Sequence, residues 1–192
     1  MKLILGSQSP RRRELLAGLD IPFVAVSIDA DESYPEELQA GDIPCFISRA
    51  KAQAYQRQLK ADELLITADT IVWLDGQMLG KPKNEEEAIA MLHRLSGKTH
   101  QVYTAVTFAE CDKEMQTVVD RTDVTFAVLT DEEIHHYVTK YHPLDKAGAY
   151  GVQEWIGYVA CTAMNGSYFN VMGFPTHLVY PILKERVNEL TN

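Results

Sequence analysis

"LLITADTIVWLDG", residues 64–76, is the most apolar strand candidate in the chain, and the patterns on its two sides decide the fold. It stops at Asp75-Gly76, a turn dipeptide, and its one interior charge is Asp69. Upstream, strands and helices alternate. "KLILG" (2–6) reads as a short buried strand, Ser9-Pro10 as an N-cap followed by proline at the first helical position, and Leu15, Leu16 and Leu19 as that helix's apolar side. "PFVAVSI" (22–28) is a second strand and "DADESYPEE" (29–37) an exposed acidic loop. Phe46, Ile47, Ala50, Ala54 and Leu59 then recur at roughly helical spacing, which predicts a helix from Ile43 to about Lys60.

Downstream the pattern changes. Asn84 and Glu87 form a capping-box-like pair ahead of Ala88, Ile89, Met91, Leu92 and Leu95, and Gly97 ends that helix. "HQVYTAVTFAE" (100–110) and "QTVVDRTDVTFAVL" (116–129) are long β-rich stretches joined by the polar "CDKE", the pattern of an antiparallel hairpin. Thr130 and Glu133 repeat the capping box before a helix through about Tyr141. A short helix around "PLDKAGAYG" (143–151), a strand and turn through Asn165-Gly166, and a last helix after Pro175 complete the order. Early alternation with a central hairpin predicts an α/β fold: a mixed twisted sheet flanked by helices, with an element order that points to two lobes around a cleft.

At 192 residues the chain is expected to form a single domain over 1–192, and no linker or internal repeat interrupts it. Its 46% hydrophobic and 23% charged residues contain no apolar run near the roughly 18 residues of a membrane span, so no membrane partner is expected. "MKLILGS" is too short for the apolar region of a signal peptide, and a cytoplasmic location is expected. Cys45, Cys111 and Cys161 lie far apart without a C-x-x-C, which predicts inert thiols. A formal net charge of -9 argues against a broad phosphate-binding surface and hence against a nucleic-acid partner. Any anion site must be local. The basic residues do cluster near Gly, Pro or element ends: Arg11 to Arg13, Arg49 with Lys51, Lys81 with Lys83, and Lys146.

Arg11, Arg12 and Arg13 are locally misplaced. A helix start carries unpaired N–H groups and a partial positive charge, so cations there lose about 0.3–1 kcal/mol each. A phosphate or carboxylate bound at that helix start would reverse the sign, with guanidinium forks and backbone amides addressing the same oxygens. The alternative is that these arginines are solvated or pair with Glu14 or distant acids. Asp69 inside its apolar run requires a metal, a cation or several donors; with the strand ending near Ala68, it would project from the C-terminal end, where α/β sheets bind ligands. A turn cap or a pairing with one lysine remains the other reading. Glu32, with Asp29 and Asp31 close by, offers carboxylates of the kind that suit Mg²⁺ or Mn²⁺, although acidic loops are also simply solvated. Lys51 and Lys81 are either surface residues or phosphate ligands. No Walker loop, dinucleotide loop or nucleophile elbow occurs. His135 and His136 point about 100° apart on a helix and read as a solvated pair. Met and aromatic positions near the end read as core.

In order along the chain, "GSQSPRRRELL", "DES", "RAKA", "ADTIVWLDGQMLGKP", "LSGKTHQVYTAV", "DKAGAYGVQ" and "NGSYFNVMGFP" resemble the Maf family of nucleoside triphosphate pyrophosphatases, relatives in fold of the inosine triphosphate pyrophosphatases. The resemblance runs nearly end to end. It implies hydrolysis of a nucleoside triphosphate to the monophosphate and pyrophosphate, assisted by a divalent cation (Mg²⁺, Mn²⁺ or Co²⁺). A nucleotide-binding regulator of division or septum formation that uses the same pocket without turnover is the other implied reading. Onto the matching stretches fall Asp69 as proton acceptor, Glu32, Lys51 and Lys81 as further catalytic residues, and Ser7, Arg11, Arg12, Thr70 and Gln153 as substrate-binding residues. Glu32 and Asp69 are the implied metal ligands. Arg11, Thr70 and Gln153 are the implied specificity positions, and Thr70 directly after the aspartate resembles the branch that acts on dTTP and UTP. The family also implies a homodimer.

Overall fold

The computed structural model describes residues 1–188. In chain order the elements are β1 (Lys2–Gly6), α1 (Pro10–Ala17), β2 (Phe23–Val26), α2 (Asp42–Gln56), β3 (Glu63–Leu74), β4 (Gln77–Leu79), α3 (Glu85–Leu95), β5 (Thr99–Glu110), β6 (Gln116–Phe126), α4 (Asp131–Tyr141), α5 (Trp155–Ala160), β7 (Cys161–Asn165), α6 (Tyr168–Val171) and α7 (Thr176–Asn188). The strands form one mixed sheet in the order β2-β1-β3-β5-β6-β7, with β4 paired to β3. β1 is parallel to β2 and β3, so Leu3 stands opposite both Phe23 and Leu64; β4 and β7 pair antiparallel with β3 and β6. The α/β mixed-sheet expectation is met. No helix among the described residues is long and apolar enough to cross a membrane.

The chain forms two compact units. The first holds Met1–Asp69, Thr104–Asp120 and the chain from Gly173; the second holds Thr70–Tyr103 and Arg121–Met172. Alternation along the strands sets the layers of the first unit. Leu3, Leu5, Leu64, Ile66, Ala68, Val106 and Phe108 face one side with Leu16 of α1 and Val179 and Leu183 of α7, while Ile4, Leu65 and Ala109 face the other with Ala52 of α2. A sheet buried on both faces needs apolar residues at consecutive positions, which is why the strands read as apolar runs. In the second unit Val72, Leu74, Val102, Val124 and Phe126 pack against Leu92 of α3 and Ile134 and Tyr137 of α4.

Four local expectations need revision. The helix predicted to reach Lys60 ends at Gln56, because Gln58 and Leu59 donate to carbonyls three residues back, tightening the last turn and turning Leu59 into the core. Around 143–151 the chain makes two 3₁₀ turns, Pro143–Asp145 and Ala147–Ala149, in place of one helix. Gly148 breaks the path at φ +66°, and a Cβ there would lie 2.8 Å from Val72. The capping box is complete at Thr130–Glu133, whereas Asn84 accepts from the Glu87 N–H and the Glu87 carboxylate turns to the Lys83 N–H instead. Among the late aromatics Phe174 is core, but Tyr158, Tyr168, Phe169 and Tyr180 are exposed. Helices α5 and α6 and the short strand β4 are the elements the sequence pattern did not announce.

Candidate active site

β3 does not end near Ala68. It continues to Leu74, so Asp69 sits mid-strand, and period-two alternation puts it on the side of the sheet that carries Leu65 and Thr67. That side packs against α2. Thr67 donates its hydroxyl to the Ser48 carbonyl at 2.7 Å, and one helical turn further along α2 the Lys51 ammonium donates to Asp69 Oδ1 at 2.9 Å. Strand spacing of two thus meets helix spacing of three. The same ammonium lies 2.9 Å from Glu32 Oε1, so one lysine bridges two carboxylates. Side-chain exposure is 12% for Lys51, 12% for Asp69 and 51% for Glu32, which leaves the carboxylate pair open at the Glu32 end.

The acidic loop presents Glu32 by a local turn. Asp31 accepts from the Ser33 N–H at 2.9 Å and from its hydroxyl at 2.8 Å, and these bonds, the backbone one first, hold the Asp31 pKa below the usual carboxylate value. Asp31 is therefore committed to the loop.

The arginine cluster divides by depth. Arg13 is exposed, while Arg11 and Arg12 are half-buried. Arg12 donates from Nε to the Gly173 carbonyl and from an Nη to the Ala68 carbonyl, each at 2.9 Å, which braces the peptide directly before Asp69. Burial pulls the Arg12 pKa below its usual value; Asp69 and Glu32 oppose that shift and Arg11 adds to it. At the start of α1, Ser9 makes no side-chain cap and no acid occupies the first turn. Ser7 is buried and its hydroxyl accepts from the Ser9 N–H at 3.2 Å. Gly6 before it is required by close approach, since a Cβ would fall 2.4 Å from Ile28 and 3.0 Å from Thr67.

The first unit therefore brings together Arg12, Glu32, Lys51 and Asp69. Ser7 and Arg11 lie in the same unit, whereas Thr70, Lys81 and Gln153 belong to the second unit. Thr70 follows Asp69 along β3 and is half-buried; Lys81 is exposed just after β4, where the Gly80 carbonyl accepts from the Gly148 N–H at 3.0 Å; Gln153 is half-buried in the segment before α5. His135 and His136 are exposed, as read from the sequence. The three thiols are free, and each has its pKa raised, Cys45 and Cys161 chiefly by burial and Cys111 chiefly by its bond to Asp112, so none is activated.

Two sets of residues had escaped the sequence reading. Ser48, Thr67 and Thr107 are buried polar side chains that lock α2 to the sheet, with Ser48 Oγ 2.8 Å from Thr107 Oγ1. Tyr137, Lys146 and Glu154 surround Gly151, two residues before Gln153. For the first set the available signal was hydroxyl residues interrupting apolar runs at the helix-facing parity. Within the second, Lys146 stood out only by its place beside glycine.

The model of the Maf-like protein family matches residues 2–186. The chain belongs to the Maf family. A dTTP/UTP pyrophosphatase of Parabacteroides distasonis is 54% identical to this Maf-family chain over 184 residues, covering 95% of each protein. A dTTP/UTP pyrophosphatase of Bacteroides thetaiotaomicron is 51% identical over 185 residues, covering 96% of this chain and 95% of that protein. Among solved structures, the Staphylococcus aureus Ham1 protein aligns with a TM-score of 0.54 at 13% identity over 97% of this Maf chain and all of its own, a likeness of fold.

Proposed function

We propose that this Maf-family chain hydrolyses dTTP and UTP to the nucleoside monophosphate and pyrophosphate. The observation that carries the reading is the Lys51 ammonium held 2.9 Å from both Glu32 and Asp69. Two carboxylates and a cation, partly open to water, are a poor structural device and a good polyphosphate site. The relatives that share about half of its residues along nearly their whole length are dTTP/UTP pyrophosphatases, which supports the same substrates here.

Among the described residues no three His, Cys, Asp or Glu side chains converge as a metal cluster. Two carboxylates do fit an ion such as Mg²⁺, which is bound through one or two carboxylates plus substrate phosphates. Glu32 and Asp69 would hold it, and when bound it would draw charge from the phosphate oxygens. The chain's own residues supply the rest. Water attacks the α-phosphorus, the bond to the β-phosphate's bridging oxygen breaks, and pyrophosphate leaves with the electron pair. Asp69, its carboxylate held by Lys51, also accepts the proton of that water, a role that competes with holding the ion because a carboxylate bound to a cation is a weak base. Arg12, Lys51 and Lys81 take up phosphate charge, each charge-assisted contact missing once pyrophosphate has gone. Ser7 shapes the loop entering α1, and Arg11, Thr70 and Gln153 set base preference.

The test is purified protein with a panel of nucleoside triphosphates and Mg²⁺ or Mn²⁺, the products resolved by anion exchange. Monophosphate and pyrophosphate from dTTP and UTP are expected. Release of inorganic phosphate alone, or binding without turnover, would overturn the reading, the latter in favour of a nucleotide-binding regulator. Asp69→Asn retains an acceptor for Lys51 and should fold, while losing roughly 10²–10⁴ in turnover. Near-normal turnover of dTTP by that variant would remove Asp69 from the chemistry.

A further inference from the structure

Lys146 is an ammonium nearly shut off from water. Its side chain is 8% exposed, donates to Asp145 Oδ1 at 2.7 Å and lies 3.2 Å from Glu154 Oε1. From α4, the fully buried Tyr137 donates its hydroxyl proton to Glu154 Oε2 and accepts from the Gly151 N–H at 3.0 Å. Burial, reinforced by Glu154, pushes the Tyr137 pKa far above its ordinary value, so the hydroxyl remains a donor. These groups close around one glycine. A Cβ on Gly151 would lie 3.0 Å from Glu154 Cδ, 3.1 Å from Lys146 Cε and 3.1 Å from Gln153 Nε2, which places the Gln153 amide against the same network. Next to it, the Tyr150 hydroxyl is hydrogen-bonded with His100 Nε2 at 2.7 Å.

Between the end of α4 and the start of α5 the only regular structure is the pair of 3₁₀ turns, so side chains must hold this segment. Apolar packing would hold it as firmly, because taking charges out of water is costly and buried ion pairs are weak sources of stability. What a closed network of directed bonds adds is a single geometry.

We propose that Tyr137, Lys146 and Glu154 are positioning residues for Gln153, holding residues 150–154 in the one shape that presents the Gln153 amide to the pyrimidine base. The proposal rests on the base-reading role of Gln153 given above. Lys146 ties Glu154 to the chain before Gly148, Tyr137 ties both to α4, and the Gly151 N–H transmits the constraint to the residue pair before Gln153.

The experiment compares kcat and KM for dTTP, UTP and GTP in Tyr137→Phe, Glu154→Gln, Gln153→Ala and the doubles with Gln153→Ala, each checked by thermal melting. Tyr137→Phe keeps the buried ring, and Glu154→Gln acts from a partly exposed position should the first variant fold poorly. The expected result is a KM for dTTP raised about tenfold with kcat nearly kept, and a narrowed preference for dTTP over GTP. In the Gln153→Ala background the same changes should add less than about twofold. Additive effects, or a lower melting temperature with preference intact, would overturn the proposal and leave the Gln153 reading standing. Unchanged preference in Gln153→Ala alone would remove that reading and the proposal together.

Discussion

Replacing His100 by phenylalanine isolates one titration on which acid stability depends. His100 is fully buried in the second unit, edge-on to Phe126 at 5.0 Å and to Tyr150 at 5.4 Å. Nε2 is bonded with the Tyr150 hydroxyl, and Nδ1 has no hydrogen-bond partner among the described residues. Protonation would make both ring nitrogens donors and bury a charge, so desolvation lowers the folded pKa from 6.5 to about 4. As pH falls through 6.5 the unfolded chain binds a proton that the folded chain refuses, and stability drops. Below about 4 the folded ring also protonates, and the loss stops growing. At about 1.4 kcal/mol per pKa unit, the full effect is about 3 kcal/mol, steepest near pH 5. Equilibrium urea unfolding of wild type and His100→Phe between about pH 7 and about pH 4 measures it, because every other titrating group is common to both proteins. The variant loses a pH-independent increment with the Tyr150 hydrogen bond, then gains on wild type as acid is added. Curves that stay parallel within about 0.5 kcal/mol would refute the assignment of a buried neutral imidazole.

Lys51→Met keeps the unbranched apolar stem of the side chain, one atom shorter, and removes the charge between Glu32 and Asp69. Leaving Asp69 nearly buried without its ammonium should cost about 3 kcal/mol, at the low end for a broken buried pair because Arg12 remains close, and dTTP turnover should fall by at least about 100-fold; an unshifted urea midpoint would place Lys51 in solvent. Gly157→Ala puts a Cβ 1.8 Å from the Val152 carbonyl oxygen, backbone that cannot rotate away. The expected loss is about 3 kcal/mol or more by thermal melting, and a melting temperature equal to wild type would mean that Val152 and Gly157 do not pack as described.

The strand run at 64–74, the Ser9-Pro10 helix start and the Thr130–Glu133 box were legible because their signals are local: side-chain parity, a fixed φ, and a cap with its partner three residues on. The bounds of α2 and the 143–151 segment were not. Both are set by bonds and contacts, such as Gly148 against Val72, that join residues far apart in sequence. Exposure at Tyr158 and Phe169 was likewise invisible, since apolar character does not say whether another element arrives to cover it.

For the site, the chain's order of residues marked Asp69 and the arginines as chemically out of place, because a charge in an apolar run or at the wrong helix end carries a cost wherever it stands, whereas Glu32 in an acidic loop and Lys51 on a helix were singled out by the family resemblance. Which charge answers which was decided by packing. α2 lies on the Thr67 face of β3, and that places a lysine from one element between carboxylates of two others. Arg12, marked by sequence as a candidate anion ligand, is spent in part on the carbonyls of Ala68 and Gly173, one of them 161 residues away along the chain. Periodicity and cost are properties of neighbours in sequence, whereas pairing of charges is a property of distance in space, and only the folded chain sets that distance.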